Sequence, residues 1–370
     1  MTPTSGSHVR DLLGLSPLDL ARAVRDVAPE PYRASQIGRW IHERRARDFS
    51  EMTDLPKDLR ESLAKDFTIG LPRIVSRSKA EDGAEKFLFE LADGARIEAV
   101  YMVDSKRRPS AEADGLPAGV RVTVCLSSQA GCAVDCVFCV TGRMGAGRNL
   151  TAGEIVGQYL SIAREKGISP HEANVVFMGM GEPLLNVPGV LGALDLFESE
   201  VAPRRTTVST SGIVPGIEAL AGRARRPNLA VSLSAADDET RSQIMPINRT
   251  YPLATLFKAL KRWPLERGRR ITFEYVLIAG RNDSLEAARR LAALVRKLPA
   301  KVNLIPLNES ERWLPGLARP SEEKVDAFAR EVVRGGVPTT VRWSKGLQAD
   351  AACGQLKGRE EPRKARRAGS

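Results

Sequence analysis

Three cysteines within eight residues are the chain's plainest chemical feature: Cys132-Ala-Val-Asp-Cys136-Val-Phe-Cys139, a C-x3-C-x2-C spacing. Thiolates this crowded in one loop converge on a metal centre. Zinc is the ordinary reading of clustered cysteines, but its ligands usually arrive as two C-x2–4-C pairs separated by a longer spacer. Here the trio is compact, and the nearest fourth cysteine, Cys125, lies seven residues upstream on a predicted strand. Three thiolates around a cubane iron–sulfur cluster would leave one iron open to a substrate or cofactor. The fifth cysteine, Cys353, stands far downstream in Ala351-Ala-Cys-Gly354, a setting that also suits a buried apolar side chain.

Short polar motifs follow several predicted strands. In Gly179-Met-Gly181-Glu182-Pro183 two glycines permit close backbone approach, and Glu182 can accept hydrogen bonds from an ammonium group. It is not a dinucleotide fingerprint, because Leu184 stands where the third glycine would fall. Ser209-Thr-Ser211-Gly212, Ser232-Leu233-Ser234 and Ile305-Pro-Leu-Asn308 add small hydrogen-bonding groups at other strand ends. Each alone would more often cap a helix. Four sets in register with a cysteine loop point to a site for a small polar ligand.

These residues need a scaffold that gathers them. The chain has 370 residues, 42% hydrophobic and 27% charged, ordinary for a globular protein of two or three domains. A net charge of +11 favours a polyanionic partner. No apolar run approaches the roughly 18 residues of a membrane span. The start, Met1-Thr-Pro-Thr-Ser-Gly-Ser7, lacks the basic and apolar parts of a signal peptide, and the cysteines are too clustered for a disulfide framework. No membrane association and a cytoplasmic location are expected. Three histidines (His8, His42, His171) argue against a histidine-rich metal site.

From residue 121 the sequence alternates β-rich apolar runs (121–126, 174–178, 205–209, 228–233, 271–278, 302–306 and 339–343) with amphipathic stretches such as 151–165, 284–297 and 321–334. That rhythm predicts an α/β fold with a parallel sheet. The units are too few for an eight-fold barrel, so an open, partial (β/α)6-type barrel over 121–350 is preferred to a doubly wound sheet. In such barrels the chemistry sits in loops after the strands, where the cysteine loop falls. Ahead of it, residues 1–70 read as a helical accessory domain, with Ser16-Pro17 as a helix start and Pro56 opening a third helix. Its basic run Arg39-Trp-Ile-His-Glu-Arg44-Arg45-Ala-Arg47 is a candidate for RNA phosphates. Residues 71–120 form a small β segment, turned at Asp93-Gly94, followed by a polar loop at 104–120. Residues 351–370 carry Cys353 and a basic tail.

The C-x3-C-x2-C loop with Phe138 before its last cysteine, followed by Gly181-Glu182-Pro183 in a βα array, resembles the radical S-adenosylmethionine enzymes. The resemblance is closer to their RlmN/Cfr methyltransferases. It is carried by Cys125-Leu-Ser-Ser-Gln-Ala-Gly-Cys132, Arg148-Asn-Leu-Thr-Ala-Gly-Glu-Ile-Val-Gly157, Phe177-Met-Gly-Met-Gly-Glu-Pro183, Ser209-Thr-Ser-Gly212 and Ala349-Asp-Ala-Ala-Cys-Gly-Gln-Leu356. Tyr32-Arg-Ala-Ser-Gln-Ile37 and Met52-Thr-Asp-Leu-Pro56 resemble the accessory domain of the RlmN branch.

The resemblance implies that Cys132, Cys136 and Cys139 hold a 4Fe–4S cluster whose open iron takes S-adenosylmethionine. Gly181, Glu182, Ser209, Ser232, Leu233, Ser234 and Asn308 match positions lining that cofactor. Cys353 matches a cysteine that is first methylated, Cys125 the thiol that later resolves a protein–RNA crosslink by disulfide formation, and Glu98 the general base. The implied product is an adenosine methylated at carbon 2 in 23S ribosomal RNA, with transfer RNA as a second substrate. A flavodoxin or ferredoxin is the expected electron donor and a monomer the expected state. Ser234 departs from the family's usual histidine, and the 104–120 loop is longer than expected. Two rivals are Cfr-like methylation of carbon 8 and a non-catalytic, zinc-containing RNA-binding protein.

Overall fold

In the computed structural model, which describes residues 9–104, 121–344, 346, 349–352 and 354–357, the first helix starts where Ser16-Pro17 predicts. The Ser16 hydroxyl accepts the Asp19 amide at 3.2 Å and Pro17 occupies the first turn of α1 (Pro17–Val24). With α2 (Pro31–His42) and α3 (Lys57–Asp66) it buries Leu20, Val24, Ile37, Ile41 and Leu63. A short parallel pair, β1 (Arg10–Asp11) with β2 (Phe67–Thr68), ties the two ends of this helical unit together.

Arg45, in the basic run read as a candidate for RNA, points inward. Its guanidinium pairs with Glu200 at 2.8 Å, and both side chains are buried. Arg45 is therefore a clasp between the helical unit and the barrel, and unavailable to a phosphate.

Three antiparallel strands follow: β3 (Arg73–Lys79), β4 (Glu85–Glu90) and β5 (Arg96–Asp104). Gly94, at φ +80, makes the predicted turn between the last two. The chain then enters β6 (Arg121–Cys125), antiparallel to β5 and parallel to β7 (Ala173–Phe177). Parallel pairing continues through β8 (Thr206–Thr210), β9 (Asn228–Ser232), β10 (Ile271–Leu277), β11 (Ala300–Pro306) and β12 (Thr339–Val341). The β segment is thus the edge of the barrel sheet.

Strand order across this sheet follows sequence order without reversal. A doubly wound sheet would need a reversal point. Right-handed crossovers all running one way put the intervening helices on one face, which curls the sheet into an open barrel. Those helices are α4 (Val140–Arg143), α5 (Ala152–Lys166), α6 (Val187–Leu196), α7 (Val214–Ala221), α8 (Asp238–Ile244), α9 (Leu253–Lys261), α10 (Leu285–Val295) and α11 (Glu322–Arg334). None among the described residues is long and apolar enough to cross a membrane.

The Arg148–Gly157 block has a physical reading of its own. Thr151 and Glu154 form a capping box at the start of α5. Arg148 grips Glu154 at 2.7 and 2.8 Å, and its Nε reaches Asp93 at 2.5 Å. That guanidinium draws the Asp93 carboxyl down to about 2. One arginine so fixes the β4–β5 turn against the helix that follows the cysteine loop.

Candidate active site

The carboxyl ends of the parallel strands open on a cavity of about 1020 Å³, counted with its mouth. Cys132, Cys136 and Cys139 line it together with Gly181, Glu182, Ser209, Ser232 and Asn308. Leu233 and Ser234 do not: both are fully buried behind the strand end. The Leu233 amide donates to the Glu274 carbonyl at 2.9 Å, and Asn282 donates to the Ser234 carbonyl at 2.7 Å.

The cysteine loop is tightly tied. Gly131 adopts φ +149, and a Cβ there would lie 2.6 Å from the Gly145 carbonyl oxygen. The Cys132 amide donates to that same carbonyl, and the Val137 amide to the carbonyl of Ile244 at the end of α8. Burial, and then the neighbouring thiol of Cys139, push Cys132 up to about 12 and Cys136 well above its usual value. Such thiols stay protonated unless a cation compensates for their charge, so the donor set suits a metal centre that displaces protons as it binds. Among the described residues, no three His, Cys, Asp or Glu side chains close on a single-ion site. Three thiols of one loop, all lining one cavity, match the ligand number of a cubane cluster that keeps one iron open.

Gly181 and Glu182 press against this loop. At φ +96, Gly181 would place a Cβ 2.5 Å from the Gln129 Cβ, so only glycine lets the two loops meet. The Glu182 amide donates to Gln129 Oε1 at 2.8 Å. Its carboxylate accepts the amides of Leu184 at 3.0 Å and Ser211 at 2.7 Å, while burial raises its affinity for a proton. The Thr210 hydroxyl donates to it as well, so the carboxylate is fixed in orientation where it faces the cavity.

Cys125 lies outside this cavity. It is buried at the end of β6 and lines an adjoining space of about 420 Å³ with Met178, Arg342, Ala351, Ala352 and Leu356. Cys353 itself, like 105–120 and the tail from 358, lies outside the described residues. The chain just after Cys353 is held over the site: the Gly354 carbonyl accepts the Val140 amide at 2.7 Å, and the Leu356 carbonyl accepts the Thr141 hydroxyl at 2.6 Å. Glu98, on β5, is 4% exposed. Its carboxylate accepts the Lys357 amide at 2.9 Å and pairs with the Lys86 ammonium at 3.1 Å. Glu98 is therefore gathered with the carboxyl-terminal segment and not with the cysteine trio.

Sequence reasoning missed Glu274. It occupies a wall of the main cavity, 6% exposed, in the otherwise apolar strand Ile271-Thr-Phe-Glu-Tyr-Val-Leu277. A carboxylate amid such a run was the available signal. One oxygen accepts from Asn303 at 3.1 Å; the other is buried with no hydrogen-bond partner among the described residues. Burial raises its carboxyl affinity for a proton. Folding therefore opposes its ionisation, a penalty absent below the ordinary glutamate range and growing as pH rises through the folded value. Glu274→Gln should accordingly melt above the parent at pH 8 and no higher at pH 4, by thermal denaturation of the two proteins side by side. An equal gap at both pH values would contradict this.

Comparison with known proteins agrees with the geometry. Residues 10–69 match the family described as the ribosomal RNA large subunit methyltransferase N-terminal domain, and residues 126–292 match the radical SAM superfamily. A probable dual-specificity RNA methyltransferase RlmN of Thermus thermophilus is 48% identical over 332 residues, 88% of this chain and 89% of that one. The dual-specificity RNA methyltransferase RlmN of Geobacter sulfurreducens is 43% identical over 94% of this chain and 92% of its own. The crystal structure of a radical SAM methyltransferase from Sphaerobacter thermophilus, 42% identical, superposes with a TM-score of 0.85, covering 95% of this chain and 100% of that chain.

Proposed function

Because the chain belongs to the RlmN family of radical S-adenosylmethionine RNA methyltransferases, we propose that it methylates carbon 2 of an adenosine in 23S ribosomal RNA, at the peptidyl transferase centre, and of the adenosine beside the anticodon in transfer RNA. The observation that carries this reading is the pairing of two adjoining cavities. One is lined by the cysteine trio with Gly181 and Glu182, the other by Cys125 with the residue before Cys353.

In this reading Cys132, Cys136 and Cys139 hold a 4Fe–4S cluster, and Gly181, Glu182, Ser209, Ser232 and Asn308 hold S-adenosylmethionine. When bound, these groups supply one-electron chemistry that can activate a carbon–hydrogen bond. Such chemistry is needed because carbon 2 of adenine is not a nucleophile. Cys353 carries the methyl group as a thioether, presented to the base by the segment that Val140 and Thr141 hold down. Glu98, oriented by Lys86, takes the proton lost from carbon 2. Cys125, as a thiolate, then bonds to the Cys353 sulfur as the carbon–sulfur bond to RNA breaks, and the departing carbon takes up a proton to become the methyl group. A flavodoxin or ferredoxin supplies the electron to a monomeric enzyme, and the basic residues left outside the Arg45 clasp meet RNA phosphates. The match of residues 10–69 to the ribosomal RNA methyltransferase domain favours carbon 2 over carbon 8.

Cys125→Ala tests the reading directly. With the resolving thiol gone, the protein–RNA crosslink should persist and appear as a slow band on a denaturing gel. Free methylated RNA at the parent rate would remove Cys125 from the reaction.

A further inference from the structure

Arg241, on α8, is the largest fully buried side chain of the described residues, with no exposed surface. Its guanidinium donates to the Leu233 carbonyl at 3.1 Å, the Asn248 side-chain oxygen at 2.8 Å, and the carbonyls of Ser211 and Ser232 at 2.7 and 3.2 Å. None of these acceptors is a carboxylate. The nearby Asp238 accepts Asn248 Nδ2 at 2.9 Å and the Leu253 amide at 2.8 Å instead of the guanidinium, and offsets its charge only in part and through space. A buried cation held only by neutral dipoles is costly unless a counter-charge lies nearby.

The site supplies that counter-charge. Ser211 and Ser232, whose carbonyls the guanidinium grips, both line the cavity of the three cysteines. Ile244, at the end of the same helix, accepts the Val137 amide from within the cysteine loop and packs with Met245 against Cys136, Val137 and Phe138. The guanidinium thus sits directly behind the wall on which Cys136 stands. Three thiolates outweigh the charge of a cubane core, so the bound cluster is an anion, and one electron makes it more so. We propose that Arg241 is the buried counter-cation of this cluster, favouring its one-electron reduction while holding the ends of β8 and β9 in place. Burial lowers the affinity of Arg241 for its proton to about 10, and the charges acting the other way are Cys136 first and then Asp238.

This inference rests on the cluster assignment above, and the test separates the two. The reduction potential of the anaerobically reconstituted protein is measured for the parent, Arg241→Gln and Arg241→Lys, with folding checked by thermal melts. In Arg241→Gln the equilibrium constant for reduction should fall at least about tenfold, roughly 59 mV for one electron. Arg241→Lys, which keeps the charge but cannot grip four acceptors, should melt lower yet hold its potential within about threefold of the parent in the same constant. A purely structural arginine predicts lowered melting in both and an unchanged potential in Arg241→Gln, which would overturn the proposal. Should Arg241→Gln not fold, Asp238→Asn removes the carboxylate that shares the guanidinium while its Oδ1 still accepts Asn248 Nδ2 and the Leu253 amide; the potential should then rise, and an unchanged value overturns the proposal equally. A parent protein that takes up no iron and sulfide would remove the cluster reading itself, and this inference with it.

Discussion

Cys353→Ala should abolish methyl transfer to RNA, by about a thousandfold or more, the scale on which losing a covalent-catalysis nucleophile acts. Carbon 2 of adenine cannot attack a methyl sulfonium, so the group must first rest on a nucleophile of the protein. A thiolate serves for that and a methyl side chain does not. The surroundings of position 353 agree with a methyl-carrying role, since Ala351 and Ala352 line the space that Cys125 shares, and Lys357 closes on Glu98. Transfer of labelled methyl from S-adenosylmethionine to RNA measures the effect. Iron content and cofactor binding should stay at parental values, since no ligand of the cluster is touched. Full methylation by the variant would end the carrier assignment.

Cys136→Ala should have an equally large effect for a different reason. Its loop is pinned by the Val137 amide to α8, which fixes where the other two thiols stand. Two remaining cysteines cannot hold a cubane cluster. Bound iron and sulfide, together with the brown colour, should fall to background, and methyl transfer with them. Cys353→Ala stays brown and inactive; Cys136→Ala is colourless and inactive. Retention of full iron by Cys136→Ala would contradict the ligand assignment.

How far the sequence could be read depended on whether a residue's neighbours were local. Parallel strands β6 to β11 were legible because strands covered on both faces read as apolar runs, and β12 (Thr339–Val341), a half-exposed edge strand, because its residues are β-branched. The cysteine trio was legible because its members are neighbours in the chain. Arg241 was not: Asp-Asp-Glu-Thr-Arg reads as a solvated helix start, and its burial is decided by carbonyls on β8 and β9. Arg45 was hidden in the same way, since its partner Glu200 stands far along the chain. The Ser232-Leu233-Ser234 triplet shows the limit of a motif. Strand alternation turns Ser232 toward the cavity and Leu233 away, and Ser234, past the strand end at φ +52, is turned into the wall.

The central claim is that this chain places a methyl group on carbon 2 of adenosine in RNA. Mass spectrometry of nucleosides from ribosomal and transfer RNA, in cells with and without the protein, tests it most directly, because 2-methyladenosine and 8-methyladenosine are separable. The expected result is 2-methyladenosine only where the protein is present, in 23S ribosomal RNA and in transfer RNA. The appearance of 8-methyladenosine in its place, or of identical nucleoside profiles in both cells, would contradict it.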